Sequence, residues 1–163
     1  MAKNEGKKFE EDWKQSCDKV ENLFCYRFRD GTSSWSGGDK ARFQATNICD
    51  MQIFYKTKLV LLELKSTLGA SLPYGNIKDH QITDMSKALN TNAENIYVWF
   101  LINFRDSAET FYMSIEQFNT YKNNTERKSI PIEFCRKNCI QVKQEQKRVR
   151  YSYDIEGFVN QLN

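Results

Sequence analysis

A carboxylate and an ammonium group stand two residues apart in an otherwise aliphatic run of the chain. Glu63 and Lys65 occur in the stretch LVLLELKST, residues 59–67. Side chains two positions apart in a β-strand lie on the same face, so both charges would share one face of a strand suited to the protein interior. Burying such charges is costly unless something compensates them, and this indicates a functional pair.

A second carboxylate, Asp50, falls in the preceding predicted strand, residues 47–56, which a tight turn joins to the strand 58–67. If the two strands pair as a hairpin, Asp50 and Glu63 converge on one face. Two carboxylates that share a site repel each other unless a cation lies between them, and hard oxygen ligands suit Mg²⁺ or Mn²⁺. A lysine beside such a cation can stabilise negative charge on a phosphate. The set predicts metal-dependent phosphodiester hydrolysis, although Glu-x-Lys is also a common surface pair.

The periodicity of apolar residues predicts a mixed α/β chain: one helix, three strands, a second helix, two strands, and then small elements. The predicted helices cover residues 5–24 and 78–90, and the predicted strands cover residues 25–29, 47–56, 58–67, 95–106 and 109–115. The strand at 95–106 is too apolar for a sheet edge and should be central. Glycine, serine and proline predict loops at 30–43 and 68–76.

Composition restricts the class of protein. The 163 residues, 40% hydrophobic and 28% charged, are typical of one globular domain. No run approaches the roughly 18 apolar residues of a membrane span, and the charged start MAKNEGKKFEEDW has no apolar signal core, so we expect a cytoplasmic protein without membrane contact. Five cysteines without a CxxC pair, together with one histidine, argue for reduced thiols rather than a structural zinc site.

Basic residues are concentrated near the two ends of the chain. The net charge of +3 does not by itself identify a partner. The basic residues near the two ends are Lys7, Lys8, Lys143, Lys147, Arg148 and Arg150. Such clusters suit contacts with nucleic-acid phosphates, and an ordinary solvated surface is the alternative interpretation.

An Asp, a turn and then Glu-Leu-Lys, all after an N-terminal helix, resemble the PD-(D/E)xK nuclease superfamily. The segment ELKSTLGASLPYGNIKDHQI is similar to RecU-type Holliday junction resolvases, GKKFEED resembles their Gly-x-x-x-Glu-Glu opening, and RYSYDIEGFVNQL resembles their Arg-x-x-Tyr ending. The matching residues of the central block are Glu63, Lys65, Thr67, Ser71, Pro73, Asn76, His80, Gln81 and Ile82. The resemblance implies a single nuclease domain over 1–163 with a restriction-endonuclease-like core, a mixed β-sheet flanked by helices.

The resemblance also implies roles for individual residues. Asp50 and Glu63 would bind the metal, with Gln81 as a further ligand or as a residue that holds a water molecule. Lys65 would be the catalytic lysine. Glu10, in the first helix, would approach the same site, as the family's helical glutamate does.

Two departures from the family's pattern affect this expectation. Ile48 stands where RecU-type proteins usually have Thr, so one hydroxyl contact to the metal shell would be missing. The family also carries a long stalk before the metal-binding Asp, and here only the flexible loop at 30–46 is available. Lys40 and Arg42, with Trp35 stacking on an exposed base, could serve junction binding in its place.

We therefore expect a Mg²⁺-dependent, structure-selective DNA endonuclease that resolves four-way junctions by paired symmetric nicks in recombination and repair. Mn²⁺ is an alternative cofactor, a homodimer would match the two-fold symmetry of the junction, and the short form would suit a phage or mobile-element copy. The expected DNA contacts are Lys7, Lys8, Trp35, Lys40, Arg42, His80, Lys147, Arg148 and Arg150, with a purely structural histidine as the alternative for His80. The alternative functions are a restriction or repair endonuclease on the same fold and a non-catalytic DNA-binding protein.

Overall fold

A six-stranded mixed β-sheet with helices on both faces forms the centre of the computed structural model, which describes residues 5–29, 47–91 and 93–162. The strands are β1 (Leu23–Arg27), β2 (Met51–Tyr55), β3 (Lys58–Thr67), β4 (Ser71–Pro73), β5 (Ile96–Phe104), β6 (Glu109–Ser114), β7 (Ser129–Pro131), β8 (Ile140–Val142), β9 (Gln144–Gln146) and β10 (Tyr151–Tyr153). The helices are α1 (Glu5–Cys17), α2 (Asp79–Leu89), α3 (Ile115–Asn123), α4 (Ile132–Asn138) and α5 (Ile155–Asn160). The sheet has the order β1-β2-β3-β5-β6-β8, so the predicted mixed α/β fold is confirmed.

The strand that carries Glu63 lies inside this sheet. β3 pairs antiparallel with β2 across a two-residue turn, and it pairs in parallel with β5, with Leu59 opposite Ile96. A parallel pair needs a crossover connection, which α2 provides. Both the predicted hairpin and the predicted central position of the 95–106 strand are therefore confirmed.

Side chains along β3 alternate between two apolar clusters, one on each face of the sheet. Val60, Leu62 and Leu64 join the cluster that includes Phe9 and Trp13 of α1. Leu61 belongs to the other cluster, with Met85 of α2 and Phe100 of β5. Each fully buried side chain of this kind contributes roughly 1.5–3 kcal/mol, and the two clusters hold β3 rigidly between α1 and α2.

Several predicted boundaries differ from the structure. The strand predicted at 47–56 begins only at Met51, so Asp50 lies directly before it, and the strand predicted at 25–29 covers Leu23–Arg27. The first helix ends at Cys17 rather than at residue 24, because the chain turns through Asn22, whose φ is 58°, to begin β1. β4 lies within the predicted loop 68–76 and pairs with β7. The sequence predicted a loop here because the segment contains a proline, which occurs in strands only at sheet edges and in short ribbons of this kind.

The predicted loop at 30–46 lies outside the described residues, and Trp35, Lys40 and Arg42 lie outside them with it. Within the described ranges, no helix is long and apolar enough to cross a membrane. The cysteines are all free thiols, three buried and two half-buried: Cys17, Cys49 and Cys135, then Cys25 and Cys139.

Candidate active site

The hairpin fixes Asp50 against β3, the strand that carries Glu63 and Lys65. Asp50 directly precedes β2, and its backbone N–H donates to the carbonyl of Leu62 at 3.1 Å. Its Oδ2 accepts a hydrogen bond from the backbone N–H of Leu64 at 2.8 Å. The carboxylate is thereby held beside Glu63, which follows Leu62 and precedes Leu64.

Glu63 is fully buried, and its two carboxylate oxygens have different surroundings. Oε1 forms an ion pair with Lys65 Nζ at 2.8 Å and accepts a hydrogen bond from Gln81 Nε2 at 2.5 Å. Oε2 is buried and has no hydrogen-bond partner among the residues that the structure describes. A buried acceptor without a partner is uncommon and costly, so a bound cation or a proton on the neighbouring Asp50 would be stabilising beside this oxygen.

Gln81 is oriented by the start of α2. Its Oε1 accepts hydrogen bonds from the backbone N–H of Lys78 at 3.0 Å and from Lys65 Nζ at 3.3 Å. The amide therefore presents its NH₂ group to Glu63. Rotation of the amide by half a turn would present its oxygen instead, which is the atom that a cation would bind.

Burial first, and then the negative charge of Glu63, raise the pKa of Asp50 to about 7. The backbone N–H of Leu64 and the ammonium group of Lys65 oppose this rise in pKa. Burial also raises the pKa of the neighbouring Cys49 thiol to about 12, with Glu63 again contributing. Both shifts show that the surroundings of Glu63 disfavour further negative charge.

These groups fit a hard divalent cation. Two carboxylates and a carboxamide oxygen are the donors that Mg²⁺ or Mn²⁺ prefers, and one of the carboxylate oxygens, Oε2 of Glu63, is buried without a partner among the described residues. In the described ranges, no group of three or more His, Cys, Asp or Glu side chains could hold a metal. The protein ligands would instead be two carboxylates and one amide, from Asp50, Glu63 and Gln81, and Mg²⁺ can be held by so few because it usually retains several water molecules.

Glu10 does not lie with Asp50, Glu63 and Lys65, the three candidate residues of the hairpin. It belongs to α1, which packs against the face of the sheet opposite to Glu63. Its Oε2 accepts a hydrogen bond from Arg27 Nε at 2.6 Å, and Arg27 pairs across the sheet with Met51, the residue after Asp50. The structure thus places Glu10 beside the start of β2, bound to Arg27, and not among the groups hydrogen-bonded to Glu63.

Ile48, which replaces the family's usual Thr, is half-buried and packs against the apolar cluster on the α2 side. A hydroxyl is thus replaced by an apolar contact two residues before Asp50. Dry surroundings strengthen the electrostatic interactions of Asp50 and Glu63.

The predicted DNA contacts within the described residues lie on the surface. His80 is exposed in the first turn of α2, beside Gln81. The others are Lys7 and Lys8 on α1 and the three cations between β9 and β10, Lys147, Arg148 and Arg150, of which only Arg150 is half-buried. Lys147 forms an ion pair with Glu145 at 2.5 Å, and Arg150 binds the side chain of Gln15.

Arg105 was not predicted from the sequence. It follows β5 directly, and only 7% of its side chain is exposed. Its Nη2 donates to the backbone carbonyl of Glu5 at 2.7 Å, and its Nε donates to Ser66 Oγ at 3.1 Å. An arginine directly after an aliphatic strand was the available signal, but its partners come from distant parts of the chain.

The chain matches known proteins over most of its length. The model of the family "Recombination protein U" matches residues 28–156, a span that contains Asp50, Glu63, Lys65 and Gln81. The SPbeta prophage-derived uncharacterized protein YotM of Bacillus subtilis (strain 168) is 31% identical, over 99% of this chain and 88% of that protein. The backbone is also similar to a solved structure titled as Hjc, a Holliday junction resolvase from Archaeoglobus fulgidus, with a TM-score of 0.49, 8% identity, and coverage of 74% of this chain and 83% of that chain.

The family match covers the hairpin, the crossover helix and the basic turn between β9 and β10, and it begins after α1. Together with the full-length similarity to the prophage-derived relative, it confirms the resemblance seen in the sequence. The chain therefore belongs to the Recombination protein U family.

Proposed function

We propose that this protein is a metal-dependent endonuclease that resolves four-way DNA junctions by paired symmetric nicks. Membership of the Recombination protein U family supports a Holliday junction resolvase-type nuclease. The observation that carries the proposal is the buried carboxylate of Glu63, which has one oxygen paired with Lys65 and the other without a partner among the described residues.

Asp50 and Glu63 would hold Mg²⁺, with Mn²⁺ as a substitute, and Gln81 would complete the protein ligands or hold a water molecule. When bound, the cation would supply charge neutralisation at the phosphate and a more acidic water. Lys65 is oriented by Glu63 and Gln81, and 15% of its side chain remains exposed. Its ammonium group would stabilise the negative charge that grows on the phosphate.

The surface cations would hold the DNA through its phosphates, without reading bases. Binding should therefore weaken steeply as the salt concentration rises. A four-way junction has two-fold symmetry, so a homodimer would place one active site on each of two opposing strands. A cytoplasmic location, a role in recombination and repair, and junction contacts from Trp35, Lys40 and Arg42 belong to the same proposal.

The direct test is to incubate the protein with a labelled four-way junction or with a linear duplex of the same arm sequence, in Mg²⁺, Mn²⁺ or EDTA. We expect paired, symmetric nicks on the junction with either metal and no nicks in EDTA. Equal cutting of the linear duplex would instead favour a restriction or repair endonuclease on this fold. Binding without cutting in either metal would favour a non-catalytic DNA-binding protein.

The variant Asp50→Asn tests the proposed metal site without removing the DNA-binding surface. Asp50→Asn should lower the cleavage rate at least about 10³-fold, equivalent to about 4 kcal/mol of transition-state stabilisation, while junction binding is retained. Asp84→Asn is the matched control, because it removes a carboxylate from α2 that is paired with the exposed Lys87 at 3.5 Å. A cleavage rate for Asp50→Asn close to that of Asp84→Asn would refute the assignment.

A further inference from the structure

We infer that the turn at residues 147–150, between β9 and β10, binds one duplex arm of the substrate beside the catalytic strand, with Val149 as its apolar contact. This inference rests on the proposed function, because it takes DNA as the partner. It adds a residue and a place on the surface that the expected phosphate contacts do not include.

Val149 is unusually exposed for an apolar side chain. It is 72% exposed, the highest value among the large exposed hydrophobic residues in the described ranges. Arg148 precedes it and Arg150 follows it, and residues 143–150 contain four cations and one acid. An apolar tip between two arginines suits DNA, where arginines bind phosphates and an apolar side chain contacts sugars or base edges in a groove.

The turn is held in a fixed shape against α1. The backbone N–H of Lys147 donates to the carbonyl of Arg150 at 2.8 Å and closes the turn. The side chain of Arg150 binds Gln15, and the backbone N–H of Tyr151 donates to Asp12 Oδ2 at 3.0 Å. Because the turn is already ordered, little conformational entropy would be lost when it binds a partner.

Arg105 connects this turn to the catalytic strand. Its guanidinium group binds Ser66, the residue after Lys65, and lies 5.9 Å from the centre of the Tyr151 ring, the residue after Arg150. One side chain therefore contacts the neighbours of both the catalytic lysine and the basic turn. The turn and the exit of β3 must lie at the same end of the molecule.

A groove of about 330 Å³ opens beside the same contact. It is lined by the start of α1 and the end of β3, through Glu5, Gly6, Ser66, Thr67, Gly69 and Asn76. The carboxylate of Glu5 lies 3.4 Å from Arg105 Nε, which offsets its negative charge. A DNA backbone could thus pass from the active site over this groove to the basic turn.

The test measures junction binding in EDTA, so that cleavage does not interfere, for the wild-type protein, Arg148→Ala, Val149→Ser and Lys56→Asn. One phosphate contact contributes about 0.9 to the slope of log affinity against log salt. Arg148→Ala should therefore lower that slope by about 1 and weaken binding about eightfold at 0.1 M salt. Val149→Ser should weaken binding about threefold without changing the slope, since no charge is lost.

Lys56→Asn is the matched control. Lys56 lies in the turn before β3, roughly 30 Å along the strand from Thr67, and its φ of 55° is one that asparagine tolerates. It removes one positive charge at the far end of the sheet, and we expect its binding to stay within twofold of the wild type, as exposed sites away from the ligand usually do.

The outcomes separate this inference from the proposed function. If the wild-type protein binds and cuts the junction while Arg148→Ala and Val149→Ser bind as it does, the turn is not a DNA contact and the nuclease function stands. Equal weakening in Arg148→Ala and Lys56→Asn would likewise overturn the inference, because net charge alone would explain it. A wild-type protein that binds no DNA overturns both.

Discussion

Two buried polar clusters lie on opposite faces of the same sheet. The cluster that we propose to be catalytic, called the catalytic cluster below, lies on the α2 side and contains Asp50, Glu63, Lys65 and Gln81. The neutral cluster, on the α1 side, contains Ser66, Asn103, Thr110 and Gln144. β3 contributes to both, because Ser66 follows Lys65 and its side chain points to the other face.

The two clusters differ in the kind of atom that they leave without a partner. In the neutral cluster, Asn103 Nδ2 donates to Thr110 Oγ1 at 2.7 Å, and Thr110 Oγ1 donates to Gln144 Oε1 at 2.5 Å. The buried atom that remains without a partner in the neutral cluster is the donor Nε2 of Gln144, whereas in the catalytic cluster it is an oxygen of Glu63, counting only the residues that the structure describes. A neutral polar group without a protein partner typically binds a buried water molecule. A negatively charged oxygen beside a second carboxylate is suited to bind a cation. The proposed difference between a structural cluster and a metal site thus rests on the identity of the unpaired atom.

The comparison predicts its largest effect at Lys65. Lys65→Ala should lower the cleavage rate about 10²–10³-fold, or roughly 3–4 kcal/mol, because it removes the cation that stabilises charge on the phosphate. Junction affinity, measured by fluorescence anisotropy in EDTA, should change only a few-fold. Lys58→Ala, at the first position of β3, is the control and should cut at nearly the wild-type rate. A loss below tenfold for Lys65→Ala would remove this lysine from the chemistry.

Substitutions in the neutral cluster should lower the free energy of unfolding and leave the cleavage rate nearly unchanged. Asn103→Ala leaves the fully buried Thr110 without its donor, which costs about 1–3 kcal/mol in the free energy of unfolding. Urea denaturation would measure this loss, and the cleavage rate of the folded variant should stay within about threefold of the wild type. Asn138→Ala, which removes an exposed amide, should change stability by less than about 0.5 kcal/mol. A large loss of cleavage in folded Asn103→Ala would show that the two clusters are not separate in function.

The smallest expected effect is a dependence of stability on pH at Asp50. Its pKa in the folded protein is about 7, above the ordinary 3.8, so between these values the folded chain binds more protons than the unfolded chain. The contribution of Asp50 to stability is therefore fully present below about pH 4 and is lost as the pH rises through 7. In EDTA at pH 8, Asp50→Asn should raise the free energy of unfolding by at least about 1 kcal/mol, and by at most the roughly 4 kcal/mol that a rise in pKa from 3.8 to about 7 represents, so the midpoint temperature should rise by at least about 2–4 °C. At pH 4 the two proteins should unfold at similar temperatures.

A divalent cation should reverse this difference in stability between the wild type and Asp50→Asn. With saturating Mg²⁺ at pH 8, the wild-type protein should be stabilised by binding, and Asp50→Asn should gain much less. Asp84→Asn serves again as the control, since it should follow the wild type in both conditions. Parallel pH profiles for the wild type and Asp50→Asn would mean that the Asp50 carboxylate does not carry the repulsion from Glu63.

The local part of the site could be predicted from the sequence. Asp50, Glu63 and Lys65 lie in one hairpin, where alternation along the strands and a two-residue turn decide which side chains meet. Gln81 could be placed only through the resemblance to the family, because its position depends on how α2 packs after the crossover. The partners of Glu10 and Arg105, and the pairing of β4 with β7, depend on contacts between distant segments. No local periodicity encodes such contacts, which is why the sequence did not reveal them.

The alternation of side chains along β3 determines which substitutions each of its positions can accept. Positions 60, 62 and 64 face an apolar cluster, while the proposed function requires particular functional groups at positions 63 and 65, so stability and chemistry could change separately along one strand. Leu64 is the exception, because its backbone N–H holds Asp50. That position tolerates any apolar side chain of suitable size but not proline, which has no N–H to donate. Its contribution to the chemistry lies in the main chain and is therefore invisible in the identity of its side chain.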